Sequence, residues 1–162
     1  MNSYGSRSYA TLCITNETVT TEYISSLLQL TADRIRKPGD VLALNRTISS
    51  YSWFFGTKGK IHSEFLCDHL NYLLQILEGK KTQLHELAST GCHFCLLCFV
   101  DCEFFNVCVK LPDELIRRIS SFGFDLNIDV YLPIVGFNFK DRDKIKEKMR
   151  KVNRRYGIIQ HF

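Results

Sequence analysis

The segment Gly91-Cys-His-Phe-Cys-Leu-Leu-Cys-Phe-Val-Asp-Cys102 places four cysteines in the order C-x2-C-x2-C-x3-C. This spacing is that of a bacterial ferredoxin loop that binds an iron–sulfur cluster. The intervening residues, however, form the apolar run that is typical of a short buried strand. Because strand side chains alternate between faces, Cys95 is expected to face away from Cys92 and Cys98. We therefore predict core cysteines, and the alternative is an iron–sulfur or zinc site formed by Cys92, Cys95, Cys98 and Cys102.

The length and composition predict one domain that contains a real hydrophobic core. The chain has 162 residues, of which 45% are hydrophobic, and seven are cysteines. An odd number of crowded thiols is typical of a reducing compartment rather than of a disulfide framework. The N-terminus carries no apolar signal segment, and no apolar run is long enough to span a membrane. We expect a cytoplasmic protein that does not act at a membrane.

The net charge of +4 is distributed unevenly along the chain. From Lys140 to Arg155 there are nine Lys or Arg against three acidic residues, a local balance of +6, which leaves about −2 for the rest. We predict a domain over residues 1–139 and a basic helical extension over 140–162. The candidate contacts of this extension to nucleic acid or to an acidic partner are Lys144, Lys148, Arg150, Lys151, Arg154 and Arg155.

Hydrophobic periodicity before and after the cysteine segment predicts the element order β-α-β-α-β-β-α-β. Besides the cysteine strand, the predicted strands are Tyr9 to Thr15, Ser50 to Phe55, Phe104 to Val109 and Leu126 to Tyr131. Helices are expected after Thr20 or Thr21, from Ser63, and from Pro112. Phe104 to Val109 is close enough to the cysteine strand to form a hairpin with it. This order favours an α+β fold with a mixed or mainly antiparallel sheet and helices packed on one face.

The helices have apolar stripes that predict which side chains are buried. In the helix from Ser63 the stripe is expected to contain Phe65, Leu66, His69, Leu70, Leu73, Leu74 and Leu77. In the helix after Pro112 it is expected to contain Leu115, Ile116 and Ile119, and Gly123 should end that helix.

Several features in this order resemble the bacterial domain-of-unknown-function family numbered 4279. They are the turn Lys37-Pro-Gly-Asp40, the strand with Ser52-Trp53, the Leu-rich helix His69 to Leu77, the helix start Pro112-Asp-Glu-Leu115, and the strand Leu126 to Tyr131. The resemblance covers roughly residues 8–133 and ends before the basic extension. It implies an architecture without an activity, because the function of the family is unassigned. The cysteines are not part of the family pattern.

The segment Arg34-Ile-Arg-Lys-Pro-Gly-Asp40 is the most distinctive polar feature of the domain. Arg34, Arg36, Lys37 and Asp40 precede a strand that carries Tyr51 and Trp53, so a ring could stack there while the cations hold a phosphate. The alternative is that Pro, Gly and Asp only build a turn, the aromatic residues fill the core and the cations are solvated.

No pattern in the chain identifies an enzyme. Cys67 and His69 are close in sequence, but two positions on a helix do not face each other. A phosphate-binding loop, a dinucleotide fingerprint and a nucleophile elbow are absent from the sequence. We therefore expect no catalysis and no cofactor.

The expected function is a protein-interaction or inhibitor module of the immunity or anti-defence kind found in bacterial and phage conflict systems, with a protein partner and possible homo-oligomers. Nucleotide or nucleic-acid binding through the Arg34 to Asp40 segment, the Trp53 strand and the basic extension is the alternative.

Overall fold

The computed structural model describes residues 7–42, 45–101 and 109–131. All of them belong to the first of two compact units, Met1–Leu132 and Pro133–Phe162. The elements in chain order are β1 (Arg7–Asn16), α1 (Thr21–Leu28), β2 (Arg34–Arg36), β3 (Tyr51–Gly56), α2 (Leu66–Glu78), α3 (Lys81–Ser89), β4 (His93–Asp101), α4 (Asp113–Ser121) and β5 (Asp125–Tyr131). Among the described residues, no helix is both long and apolar enough to cross a membrane.

The five strands form one sheet in the order β2-β3-β1-β4-β5. Neighbouring strands are antiparallel except β4 and β5, which are parallel. A parallel pair needs a crossover connection, and α4 lies within the connection between these two strands. The predicted α+β fold with a mixed sheet is therefore confirmed.

All four helices contribute to a single core on one face of the sheet. Alternate residues of β1 point into this core, namely Ala10, Leu12 and Ile14, and each of them is fully buried. Trp53 of β3 and Leu96 of β4 join them from the neighbouring strands. The helices supply Ile24, Leu28, Leu70, Leu73, Leu74, Leu77, Leu84, Leu87, Leu115 and Ile119. The alternation therefore separates an inner face, covered by helices, from an opposite face.

One helix cap follows the expected signal, whereas the start of α2 and the burial of Phe65 and Ile116 do not. Thr20 caps α1 by accepting a hydrogen bond from the backbone N–H of Tyr23, as predicted. The predicted start of α2 at Ser63 was wrong, because the helix begins at Leu66 and the extended residue Phe65 is 71% exposed. Ile116 was also predicted wrongly to be buried: α4 turns only Leu115 and Ile119 inward, and Ile116 is 49% exposed.

One expectation about strands needs correction, and a second lies outside the described residues. The segment Arg34–Arg36 was predicted as a loop, but it forms the short edge strand β2. A hairpin between β4 and a strand at 104–109 was also predicted, and residues 102–108 lie outside the described residues. Strand β4 pairs with β1 on one edge and with β5 on the other along Cys95–Asp101. The predicted hairpin itself stays a prediction, because its second strand falls largely on residues 102–108.

Gly56 ends β3 at a point where the backbone passes very close to β1. A Cβ atom at this position would lie 2.6 Å from the Thr11 Oγ1 and 3.3 Å from the Ala10 carbonyl oxygen. Glycine is therefore needed for the close approach of two adjacent strands. Gly79, by contrast, follows α2 with a φ of −73°, and a Cβ there would meet only the Ile76 carbonyl oxygen at 4.0 Å.

We expect Gly56→Ala to lower the free energy of unfolding by about 1–3 kcal/mol, the usual cost of overpacking. Gly79→Ala is the matched control and should change it by less than about 0.5 kcal/mol. Removing the Thr11 hydroxyl with Thr11→Ala should make Gly56→Ala less costly, which urea denaturation of the two single variants and the double variant would measure. Equal losses for Gly56→Ala and Gly79→Ala would contradict the assignment.

Candidate binding face

The sheet face turned away from the helices is the candidate site, and we call it the open face. Its side chains belong to alternate positions of the five strands and lie outside the hydrophobic core cluster. They include Arg34, Arg36, Phe54, Tyr9, Thr11, Cys13, Cys95, Leu97, Phe99, Asp125, Asn127, Asp129 and Tyr131. All are half-buried or exposed except Cys13 and Phe54. An antiparallel sheet commonly leaves such a face toward water, with polar side chains on it. Here the face also carries aromatic rings.

One row of the open face crosses the whole sheet, and we call it the crossing row. Arg34 pairs with Phe54, Phe54 with Cys13, Cys13 with Cys95, and Cys95 with Asp125. The row therefore starts with a cation on the β2 edge, passes through apolar side chains, and ends with a carboxylate on the β5 edge.

The aromatic rings of the open face form a stack over three adjacent strands. The centroids of Tyr9 and Phe99 are 4.6 Å apart with nearly parallel rings, and those of Phe99 and Tyr131 are 4.7 Å apart. The Lys58 ammonium lies 5.4 Å from the Tyr9 centroid at one end of the stack. At the other end Tyr131 is 55% exposed. The stack therefore presents ring edges along its length and an open ring at the β5 edge.

The open face has opposite charges at its two edges. On β2 the Arg34 guanidinium lies 4.1 Å from the Phe54 ring centroid, and that of Arg36 lies 5.3 Å from the same centroid. This cation–π contact positions both guanidinium groups over the face. On β5 the carboxylates of Asp125 and Asp129 are exposed. Burial is the main cause of the raised pKa of Tyr9, which Asp129 raises further and Arg34 lowers.

A cleft of 310 Å³ lies beside the Tyr9 end of the ring stack. Its walls come from the start of β1, the loop after β3 and the end of β4. The lining includes the cations Arg7 and Lys58, the imidazole of His62, and the rings of Tyr9 and Phe99. This volume is at the lower end of the range for small-molecule sites. The cleft also contains the Asp101 carboxylate, which lies 3.4 Å from the Arg7 guanidinium, so it combines mixed charge with aromatic surface.

A buried hydrogen-bond network fixes the loop that forms one wall of this cleft. The Nδ1 atom of His69 lies 2.6 Å from Thr57 Oγ1, and its Nε2 atom lies 3.0 Å from the carbonyl oxygen of Ser63. Since that carbonyl can only accept, Nε2 must carry a proton. Thr57 Oγ1 also accepts from the Ala10 N–H at 3.0 Å, which connects α2, the loop and β1.

The structure brings together only two of the six predicted ligand-binding residues. Arg34 and Arg36 lie on the open face with Phe54, whereas Trp53 points to the inner face and is fully buried. The Trp53 indole N–H donates to Ser25 Oγ at 2.8 Å. Trp53 therefore cannot be the stacking surface for a ligand held by the two arginines. The expectation of a shared pocket was wrong in this respect.

The other three predicted residues have structural roles or lie apart from the arginines. Lys37 Nζ is 2.6 Å from Glu22 on α1, which raises the pKa of Lys37 through a hydrogen bond and the opposite charge. The Asp40 carboxylate accepts from the Lys37 N–H at 2.7 Å, and Gly39 has a φ of +94°. This arrangement confirms the turn. Tyr51 is half-buried and lies two residues before Trp53, so the two side chains lie on the same face of β3.

The three described cysteines of the ferredoxin-like pattern do not converge. Cys92 and Cys98 belong to the core cluster, whereas Cys95 lies on the open face in register with Cys13. The predicted alternation is confirmed, so these three thiols are not placed to bind one metal ion. Within residues 7–42, 45–101 and 109–131, no group of three or more His, Cys, Asp or Glu side chains is placed to do so. Cys102 lies outside the described residues.

Burial makes the sheet thiols poor nucleophiles. It raises the pKa of Cys13 to about 11 and that of Cys98 to about 12. The Cys67 thiol donates to the Lys110 carbonyl oxygen at 2.8 Å and shares no contact with His69, which is held by Thr57 and Ser63. The Cys67 and His69 pair is therefore not a nucleophile and its base.

The remaining predicted contacts, Lys144, Lys148, Arg150, Lys151, Arg154 and Arg155, lie outside the described residues. Sequence reasoning missed Phe54, Phe99 and Tyr131 as parts of the open face. The signal for Tyr131 was present in the alternation of β5, but the pairing that stacks it on Phe99 depends on a parallel register that no short pattern predicts.

Comparison with known proteins found one family. The model described as Domain of unknown function (DUF4279) matches residues 6–133, which includes every described residue. Neither curated proteins nor solved structures gave a match.

We expect Cys13 and Cys98 to react with iodoacetamide at least about tenfold more slowly than Cys67 near neutral pH, because raised pKa values keep both thiols protonated. The ratio of the rates should fall as the pH rises toward about 11, because the thiolate fraction of Cys13 continues to increase after Cys67 has ionised. Time-resolved labelling with peptide mass spectrometry measures the rates, and denatured protein, in which all seven cysteines should react alike, is the control. Rapid labelling of Cys98 would contradict its burial.

Proposed function

The chain belongs to the DUF4279 family over residues 6–133, and on this basis we propose that it is a non-catalytic module that binds another protein through its open face. Its fold supports this role because the helices are packed on one side and leave a broad surface on the other. The proposed module needs no cofactor.

The observation that carries the proposal is the chemistry of the open face. It combines stacked rings, half-buried Leu97 and Cys95, and separate positive and negative edges. Protein interfaces commonly join an apolar, aromatic centre to a charged rim that sets orientation. In this arrangement the stacked rings with Leu97 and Cys95 supply the apolar part, and Arg34 and Asp125 supply the two charged ends.

An inhibitor or immunity role in a bacterial or phage conflict system is the specific form of the proposal. A small domain that binds and blocks a partner needs a rigid surface more than a reactive group. The open face is built on strands rather than on loops, which holds its side chains in a defined geometry. The partner would be recognised by opposite charges that meet Arg34 and Asp125.

Nucleotide or nucleic-acid binding is a second candidate, and the cleft beside Tyr9 is the observation that favours it. Arg7 and Lys58 would contact phosphate there, and the edges of Tyr9 and Phe99 would contact a base. The carboxylates of Asp125 and Asp129 would repel an anionic ligand elsewhere on the open face. Nucleotide or nucleic-acid binding is therefore proposed only for the cleft.

The protein-binding proposal is tested by partner capture from the native host with matched variants. Asn127→Arg places a large cation on the exposed β5 part of the open face, and Gln75→Arg places the same side chain on the exposed side of α2. The wild type and Gln75→Arg should retain the same amount of partner, whereas Asn127→Arg should retain at least about tenfold less. Equal capture by all three proteins would argue against the open face.

The nucleic-acid candidate is tested by titrating a single-stranded oligonucleotide at two salt concentrations. If binding neutralises three phosphates, the affinity should fall at least about tenfold when the salt concentration rises from about 50 mM to about 200 mM. Lys58→Ala should weaken binding, whereas Lys81→Ala on α3 should not. Binding that is lost only when the residues after Lys140 are removed would assign it to the extension, and no binding at low salt would exclude this candidate.

A further inference from the structure

We propose that the partner of the open face is a second copy of this chain, related to the first by a twofold axis that runs parallel to β1. This inference rests on the proposed function of the open face and names the partner. It follows from the positions of the charges on the five strands.

The two charged edges are equally distant from the central strand. In the order β2-β3-β1-β4-β5, strands β2 and β5 each lie two places from β1. The crossing row begins with Arg34 on one of these strands and ends with Asp125 on the other. Within the described ranges, neither residue forms an ion pair.

A twofold axis parallel to the strands matches these edges to each other. When two identical sheets pack face to face around such an axis, β1 lies over β1 of the second copy, and β2 lies over β5. Arg34 of each copy then meets Asp125 of the other, so one pair of residues makes two opposite-charge contacts. An axis in the same plane but perpendicular to the strands would place β2 over β2, with arginines against arginines.

The middle of the open face suits close sheet packing. Cys13 lies at the twofold axis, and Phe54 of one copy faces Cys95 of the other, since these residues lie one strand to either side of β1. Face-to-face sheets pack about 10 Å apart, and a twofold axis parallel to β1 keeps the two β1 strands parallel to each other. Cys13 and Phe54 are already buried in one copy, and guanidinium groups lie over the Phe54 ring. The contact between the two layers is therefore made by these guanidinium groups and by the half-buried side chains of Thr11, Cys95 and Leu97. The result is a self-complementary interface, as a twofold dimer requires.

The charges also explain why a copy fits better than an unrelated protein. A different partner would have to present an acidic edge and a basic edge at the same separation. A second copy has this pattern by symmetry.

Charge exchange between two variants tests the proposal sharply. Arg34→Glu and Asp125→Arg each convert both opposite-charge contacts into like-charge contacts, so each should raise the dimer dissociation constant at least about tenfold. An equimolar mixture of the two variants should dimerise again. In the mixed dimer the glutamate introduced at position 34 of one copy meets the arginine introduced at position 125 of the other, while the native Asp125 and Arg34 form the second contact. Sedimentation equilibrium of the full chain measures all three samples.

Arg117→Glu is the matched control, because it reverses an exposed cation on α4, away from the open face. This variant should dimerise like the wild type. A monomeric wild type at micromolar concentration, or a mixture that stays monomeric while Arg34→Glu and Asp125→Arg are folded by circular dichroism, would overturn the proposal. If the wild type is monomeric but Asn127→Arg still loses a captured host partner, the second copy is wrong and the protein-binding function stands; if neither effect occurs, both fail.

Discussion

The buried hydrogen bond between Thr57 and His69 is the constraint on which the arrangement of helices and sheet depends. Thr57 is fully buried at the end of β3, and His69 is 1% exposed in the first turn of α2. A polar group buried without a partner would cost about 1–3 kcal/mol, so any other placement of α2 on the sheet is penalised. The same contact fixes the loop before α2, and it thereby decides both which face the helices cover and where the cleft lies.

The close approach at Gly56 acts together with this network. Thr57 follows Gly56 directly, and its N–H donates to the Ala10 carbonyl at 2.9 Å. The absence of a side chain at Gly56 lets β3 come close enough to β1 for Thr57 to reach both Ala10 and His69. Backbone geometry and side-chain hydrogen bonding therefore favour the same packing, which is typical of a sequence that specifies one fold.

Local periodicity was enough to predict most of the fold, because each strand and helix shows its own repeat. The alternating residues of β4 predicted the opposite orientations of Cys95 and Cys98, and the leucine spacing predicted the buried stripe of α2. The candidate site was less predictable because it depends on register between distant segments. Arg34 pairs with Phe54, and a shift of one residue would have placed it beside Trp53, as expected from the sequence. Likewise, no local sequence pattern indicates that β5 pairs with the second edge of β4.

The crossing row also gives the protein a directional electric field. Its terminal charges, Arg34 and Asp125, are separated by four strand spacings, or about 19 Å at about 4.8 Å each. Two such charges form a dipole that lies in the plane of the sheet and perpendicular to the strands. A charged macromolecule that approaches within about 10 Å, the screening length at about 0.1 M salt, would experience a torque before any contact forms. The two charges of this row would then begin to orient the approaching molecule before the surfaces meet.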